Sequence, residues 1–453
     1  MSCFSLLQNQ KNCVIFQVDL SPMTNPQKYT FTVAVTLVIA NMIGTGVFTS
    51  LGYQVEPLPS GFVILLLWLI GGIVALSGAF TYAEIATTFK RSGGEYYYLG
   101  KIFHPAIGFV SGWMSIVVGF AGAISAVAIA IGEYSGDLLG LPVKPIAIAA
   151  ILIVSTIHWF GVRTGGIAQT ILTGTKLTLI AFFCFAPLFI DSPEFGITFT
   201  PQPGDWDLIT SSGFAVSLVF VVYAYTGWNA AAYIAGNMDD PTKNLPRALV
   251  LGTLTVVFVY LMLNAMFLYS ATFTELNGQN DIGNVVAHKL FGARAGALFS
   301  ALFSFALLST LSAMTIAGPR VTEAMGEDYA FLQPFSIKNK YGMPYIAILT
   351  QGAWSVFLVI VSSFKEIIQY ISVSLSIFSM LTVIGVFFLR RKYSSAERPF
   401  QLPLYPVLPI IFIVTTSWMI YYVTKDDYRI ILYSVLTMIP GLIVYFIASR
   451  KKI

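Results

Sequence analysis

The segment VIANMIGTGVF, residues 38–48, places two glycines inside the first long apolar run of the chain, which begins at Phe31. Gly44 and Gly46 flank Thr45 at a depth where an uninterrupted membrane helix would be expected. Glycine in a helix interior costs about 1 kcal/mol relative to alanine, so GTG predicts a break in this segment. Lipid cannot replace the hydrogen bonds that a break removes from the backbone. The segment must therefore face a polar cavity or a ligand.

The composition of the chain indicates that the surroundings of this segment are largely lipid. Of the 453 residues, 56% are hydrophobic and 10% are charged, whereas a soluble domain carries about 25% charged residues. A globular core could not bury so much apolar side chain. The composition therefore predicts an all-α integral membrane protein.

Apolar runs of about 20 residues, the length that crosses a bilayer, predict twelve transmembrane helices. Their approximate limits are 30–54, 61–88, 105–132, 142–161, 170–190, 208–236, 246–272, 293–324, 343–363, 366–389, 404–423 and 428–449. A count of eleven remains open if the last two runs are misread. Residues 1–29 lack the features of a signal peptide and are predicted to be a cytoplasmic tail, with Met23 as an alternative start.

The distribution of lysine and arginine predicts the orientation in the membrane. With the amino terminus inside, the predicted cytoplasmic segments hold 18 of these residues and the opposite side holds 6. We therefore expect both termini, including residues 450–453, to lie on the cytoplasmic side of the cell inner or plasma membrane. The net charge of +4 reflects this orientation and is not evidence for nucleic-acid binding.

A second weak point lies in the sixth predicted span, at Thr226-Gly227. Its distance of five spans from GTG predicts two inverted repeats of five helices, residues 30–190 and 208–389, followed by two helices in residues 404–449. Amides at the start of a half-helix attract a carboxylate, and carbonyls at the end of another attract an ammonium group. Paired breaks therefore suit a zwitterion, although glycines in membrane helices also serve close packing.

Three sequence motifs stand out: NMIGTGVF in the first span, YAEIATTFKRSGGEYYYLG at 82–100, and YAYTGWNAAAYIAGNMDDPTKNLPRAL at 223–249. They resemble motifs of the amino acid–polyamine–organocation superfamily, and the third is similar to that of the L-type amino acid transporter branch. The resemblance implies the LeuT-type fold with a 5+5 inverted repeat. It also implies secondary transport by alternating access, without a cofactor or a metal ion.

The resemblance further implies which residues contact the substrate. Backbone amides of the first break hold the substrate carboxylate: Gly44, Thr45, Gly46 and Val47. Carbonyls near the two breaks hold the amine: Ile43, Tyr223, Ala224 and Thr226, next to Gly227. Tyr223 closes over the substrate from outside, and Asn229 occupies a polar position just beyond the break.

Ionisable residues within the spans are the candidates for coupling and gating. Lys176 matches a lysine of the L-type branch that occupies the sodium site of sodium-coupled relatives, which argues against sodium coupling and leaves proton coupling open. Its expected partners are carbonyls near Ala40 and Ile43, with Ser309 or Ser312 as further candidates. For Glu84 two interpretations remain open: pairing with a lysine or arginine such as Lys90, or carrying a proton. Tyr96 to Tyr98 are interpreted as interfacial residues on a loop helix.

These observations predict a sodium-independent amino acid transporter, either an exchanger or a proton symporter. Thr226 and Asn229 are the polar side chains expected nearest the substrate, which favours neutral amino acids. A non-transporting amino acid sensor of the same fold is the alternative, while an embedded enzyme is disfavoured because the sequence lacks a clustered nucleophile or metal-ligand motif. None of the three cysteines is predicted to be external, so an accessory glycoprotein attached through such a cysteine is not expected.

Overall fold

The computed structural model describes residues 28–185, 197–279, 281–361 and 364–451. Most of the predicted tail 1–29, the end of the predicted fifth span with the start of the loop that follows it (186–196), and residues 280, 362–363 and 452–453 lie outside these ranges. Within them, the regular structure is helical apart from two isolated backbone bridges. The prediction of an all-α membrane protein is confirmed.

Seventeen α-helices follow one another along the described chain. They are α1 Phe31–Met42, α2 Gly46–Thr49, α3 Gly61–Phe89, α4 Glu95–Ile102, α5 Pro105–Met114, α6 Ala121–Leu139, α7 Val143–Trp159, α8 Val162–Phe185, α9 Asp205–Ile209, α10 Ser212–Tyr225, α11 Pro241–Ser270, α12 Phe273–Leu276, α13 Ile282–Asp328, α14 Tyr345–Val361, α15 Phe364–Lys392, α16 Val407–Asp426 and α17 Tyr428–Ala448. A π-helical turn joins α5 to α6, and α13 is kinked at Gly292, whose φ is 77°.

Ten helical segments of the described chain are long and apolar enough to cross a membrane. The two other predicted spans correspond to α7 and α14, which are apolar but have 17 residues each. The last two runs form separate helices, α16 and α17. The count of twelve and the division into two five-helix repeats stay predictions.

The fifth span, which was expected at 170–190, starts earlier than predicted. The helix begins at Val162, and polar side chains further along its first half are buried inside the protein. Gln169, for example, is buried and donates to Thr173 Oγ1 at 2.9 Å. A hydropathy profile cannot recognise polar groups that other helices satisfy. Lys176 consequently lies near the middle of α8 and deeper than expected.

Both predicted helix breaks are present at the expected residues. In the first span α1 ends at Met42, Ile43 leaves the helical conformation with ψ of 85°, and α2 begins at Gly46. In the sixth span α10 ends at Tyr225, and a 3₁₀ segment resumes at Ala230–Asn237. The predicted interruption of both helices is therefore confirmed.

The interpretation of Tyr96 and Tyr98 as interfacial residues was wrong. Both are buried, although they lie on the expected loop helix, α4. Tyr96 donates to Asp328 Oδ2 at 2.6 Å, and Tyr98 donates to the carbonyl of Ala232 at 3.3 Å. Both hydroxyl groups have partners on other parts of the protein, although Asp328 is itself partly exposed, and α4 is packed into the helix bundle.

Candidate functional site

The two helix breaks meet at a cavity of about 100 Å³. This volume is enough for several water molecules or a small ligand. Of the ten residues that sequence reasoning assigned to the substrate, eight line it: Gly44, Thr45, Gly46, Tyr223, Ala224, Thr226, Gly227 and Asn229. Ile43 and Val47 are adjacent in sequence but are not among the lining residues.

Glycines allow the two broken helices to touch. A Cβ atom on Gly46 would lie 2.6 Å from Ala224 Cα, so only glycine permits this approach of α2 to the end of α10. Gly227 has φ of +104°, a conformation that L side chains rarely adopt, and a Cβ there would lie 2.8 Å from Asn41 Cβ. Across the same contact, Tyr223 Oη lies 3.4 Å from Thr45 Oγ1. The two helix breaks therefore pack directly against each other.

The first break presents amide groups for hydrogen bonding. The amide of Gly44 donates to the carbonyl of Met42 at 2.8 Å. In the described part of the chain, the amides of Thr45, Gly46 and Val47 have no hydrogen-bond acceptor, and Thr45 and Gly46 line the cavity. Buried amides without an acceptor are rare in proteins, and those at a helix start attract anions. This end of the cavity is suited to a carboxylate.

Of the four carbonyls predicted to hold the amine, three already accept hydrogen bonds from the protein. The carbonyl of Ile43 accepts from Lys176 and Thr310, that of Tyr223 accepts from the amide of Thr226, and that of Ala224 lies 2.8 Å from Tyr260 Oη. The carbonyl of Thr226 accepts no hydrogen bond from any described residue. Of the four predicted amine ligands, the carbonyl of Thr226 is therefore the one that remains available to accept a hydrogen bond from a substrate.

Tyr260, on α11, bridges the two breaks but was not identified from the sequence. Its hydroxyl oxygen lies 2.5 Å from the carbonyl of Met42 and 2.8 Å from that of Ala224. A hydroxyl group has one hydrogen to donate, so it can serve either broken helix in turn. A lone tyrosine inside the apolar run VVFVYLML, residues 256–263, was the available signal.

Lys176 is buried and anchors the first break. Its Nζ donates to the carbonyl of Ile43 at 2.5 Å and to Thr310 Oγ1 at 2.7 Å. Thr310 Oγ1 in turn lies 2.7 Å from the same carbonyl. The expectation of a contact with Ile43 is confirmed, but the partner on α13 is Thr310.

The other residues proposed around Lys176 have different partners. Ser309 donates to the carbonyl of Ala306, and Ser312 Oγ lies 2.9 Å from His158 Nε2. Ala40 is buried in α1, one turn before the carbonyl that Lys176 binds. Thr310 was missed because the rotation of α13 about its own axis decides which hydroxyl faces α8.

Glu84 is buried in an ion-pair cluster and does not line the cavity. Arg390 donates to both of its carboxylate oxygens, at 2.9 and 2.6 Å, Arg398 donates to Oε1, and the amide of Leu402 donates to Oε2 at 2.8 Å. Pairing with arginine was expected, but Lys90 is not the partner. The cluster fastens α3 to α15 and to the segment that follows it.

Glu95 is the carboxylate that lines the cavity. It lies at the start of α4, directly after two glycines in the motif at 82–100, and was not assigned a role from the sequence. Its Oε1 accepts hydrogen bonds from Ser379 Oγ at 2.8 Å, from Asn229 Nδ2 at 3.3 Å and from the hydroxyl of Tyr82. The packing of α4 against the other helices buries this carboxylate.

Comparisons with known proteins agree with this architecture. The profile of the amino acid permease family matches residues 29–446. The serine/threonine exchanger SteT of Bacillus subtilis is 30% identical over 434 residues, covering 92% of this chain and 96% of that protein. The b(0,+)-type amino acid transporter 1 of mouse is 26% identical, with 92% and 87% covered. The large neutral amino acids transporter small subunit 2 of mouse is also 26% identical, with 91% and 79% covered.

The family match covers both broken helices and the cavity between them. The relatives named above are amino acid transporters or exchangers, which supports amino acid transport and a role other than that of an enzyme. The chain belongs to the amino acid permease family, within the amino acid–polyamine–organocation superfamily, and is a multi-pass membrane protein.

Proposed function

We propose that this chain moves neutral L-amino acids across the cytoplasmic membrane by alternating access around the two broken helices. The single observation that carries the proposal is the pairing of free backbone groups in one cavity. The amides of Thr45 and Gly46 lie at the first break and have no acceptor among the described residues, and the carbonyl of Thr226 lies at the second break and has no donor among them. They complement the carboxylate and the ammonium group that all amino acids share.

The charges around the cavity favour a neutral side chain. No lysine, arginine, histidine or aspartate is among the described residues that line it, and its one glutamate, Glu95, is 1% exposed. A charged substrate side chain would therefore lose its water without gaining a ready partner. Two of the relatives are named for serine and threonine and for large neutral amino acids, which supports this substrate class.

Independence from sodium is proposed because of Lys176. Its ammonium group is held between α8, the first break and α13. A sodium ion binding at the same oxygen atoms would meet this positive charge at close range, where electrostatic repulsion is strong. The ammonium group of Lys176 thus occupies the position that a bound sodium ion would need.

The proposed topology places both termini in the cytoplasm, because lysine and arginine are concentrated on that side by 18 to 6. We also propose that the transporter works without an accessory glycoprotein, since no cysteine is predicted in an external loop. Single cysteines introduced at Lys144 and Lys243 test the topology. A membrane-impermeant maleimide added to intact cells should label the first and spare the second.

Counterflow in proteoliposomes tests the function. Vesicles loaded with unlabelled serine should accumulate labelled serine, and should do so equally when sodium is replaced by choline. Labelled arginine and glutamate provide the comparison for side-chain charge. Saturable binding without counterflow of any amino acid would favour the sensor alternative. Counterflow that requires sodium would contradict the role given to Lys176.

A further inference from the structure

Glu95 is a buried carboxylate that has no role in the transport cycle proposed above. It is 1% exposed, and its Oε1 accepts hydrogen bonds from three different parts of the fold. Tyr82 belongs to α3, Ser379 to α15, and Asn229 to the second break. The carboxylate thus connects α4 to two helices and to the substrate cavity.

No described residue forms an ion pair with Glu95. Three tyrosines face it, namely Tyr82, Tyr98 and Tyr233. Phenols titrate near pH 10 and stay neutral at physiological pH. Several charged groups on the elements packed against α4 have partners elsewhere: Glu84 with Arg390 and Arg398, Arg91 with Glu327 and Asp328, Arg320 with Glu323, and Lys101 over the ring of Tyr97. His104 accepts a hydrogen bond from the amide of Ala106, and Lys90 and Arg391 are exposed.

An unpaired buried carboxylate gains from neutralisation. Because burial disfavours the charged form, the pKa of Glu95 is raised above its ordinary value, and the hydrogen bonds from Tyr82, Ser379 and Asn229 oppose this effect. The neutralising species can be a proton or the cationic side chain of a substrate. An exposed fraction of 1% favours the proton, since a guanidinium or ammonium group would have to displace the surrounding side chains to reach the carboxylate.

We propose that Glu95 binds and releases a proton during the transport cycle, so that amino acid movement is linked to proton movement. The inference rests on the proposed transport function and specifies its coupling. A proton from water on one side forms an O–H bond with the carboxylate, and the same proton returns to water on the other side. No electron transfer or further reactant is involved.

The hydrogen bonds of Glu95 explain how a proton would affect the conformation. Hydrogen bonds to an ionised carboxylate are about twice as strong as those between neutral groups. Ionised Glu95 therefore holds α3, α15 and the second break together beside the cavity. Protonation of its carboxylate weakens all three hydrogen bonds at once. Proton binding would thus loosen these elements relative to one another, which is the movement that alternating access requires.

The test compares transport at two pH values in proteoliposomes that contain the full chain. Serine uptake by the unmodified protein should be several-fold faster at pH 5.5 than at pH 7.5, and uptake should acidify the lumen, as reported by a trapped pH-sensitive dye. In Glu95→Gln, which is permanently neutral, both the ratio of the two rates and the proton flux should disappear. The readout is the ratio, so a change in absolute rate does not affect it.

Two further variants keep the proposal falsifiable. Ser379→Ala removes a donor to the ionised carboxylate, which raises the pKa of Glu95, and should shift the pH profile towards alkaline pH. Glu275→Gln removes an external carboxylate whose hydrogen bond from Lys289 lowers its pKa to about 2. Because Glu275 is ionised throughout the assay, its variant should keep the original ratio.

Three outcomes would overturn the proposal. They are an unchanged ratio and proton flux in Glu95→Gln, an unshifted profile in Ser379→Ala, and a selective loss of arginine transport with the pH dependence intact, which would make Glu95 a substrate ligand. Absence of counterflow in the unmodified protein would instead contradict the proposed transport function. The two failures are therefore distinguishable.

Discussion

At the residue scale, Gly46 and Gly44 both belong to the GTG motif but differ in the space available for a side chain. A Cβ atom on Gly46 would meet the backbone of Ala224 at 2.6 Å, whereas one on Gly44 would meet Thr310 Cγ2 at 3.4 Å. Overpacking costs about 1–3 kcal/mol, so Gly46→Ala should lower serine counterflow about fivefold or more, and Gly44→Ala should lower it less. Both variants should insert normally, as judged by the amount of protein in the membrane. Equal rates for the two would contradict the assigned contact.

Lys176 offers a second prediction at this scale. Lys176→Met keeps most of the length of the side chain but removes the donor to Ile43 and Thr310, so the first break loses its anchor and serine counterflow should fall by about tenfold or more. Thr178→Val, on an exposed part of the same helix, serves as the matched control and should behave like the unmodified protein. Counterflow in sodium-free buffer provides the measurement. An unchanged rate in Lys176→Met would remove the proposed role of the lysine.

The residues of the site were predictable to different degrees. The positions of the glycines indicate where a helix is weakened, so both breaks were found from local sequence. The eight lining residues were assigned through the resemblance to the superfamily. Glu95 and Tyr260 were missed because their roles arise from contacts with residues more than 100 positions away, as with Asn229 and Met42. Composition and periodicity contain no information about such contacts.

At the scale of elements, the Glu84 cluster determines how α3 and α15 are joined. Removing one partner of a buried ion pair costs about 3–5 kcal/mol, so Glu84→Gln should markedly lower the melting temperature of the protein in detergent, as measured by scanning fluorimetry. The exposed pair between Glu275 and Lys289 is the comparison, and its loss in Glu275→Gln should cost less than about 1 kcal/mol. Similar melting temperatures for both variants would show that the cluster does not stabilise the fold.

For the molecule as a whole, Arg91 and Asp328 connect distant parts of the chain at the side predicted to be cytoplasmic. Arg91 Nη2 lies 2.9 Å from Asp328 Oδ1, and both side chains are partly exposed. Such a pair contributes about 1 kcal/mol or less, which is enough to shift an equilibrium between two conformations about fivefold. Arg91→Ala should therefore slow counterflow a few-fold while changing the melting temperature little.

A charge reversal checks this interpretation. Arg91→Asp combined with Asp328→Arg should recover part of the rate lost in Arg91→Ala. Full recovery is not expected, since Tyr96 also donates to Asp328 and would lose its acceptor. If the double variant were slower than Arg91→Asp alone and slower than Asp328→Arg alone, the result would argue against a direct interaction between the two charges.

Apolar content, span positions and helix breaks were readable in the sequence because each depends on local quantities: transfer of side chains into lipid and the conformational preference of glycine. The start of α8, the pairing of Glu84 with Arg390 and Arg398, and the choice of Thr310 by Lys176 were not readable, because they depend on how the helices rotate and pack against one another. The same packing buries Glu95 beside the cavity. A carboxylate that lies between two predicted spans thereby becomes the one carboxylate among the described residues that line the cavity.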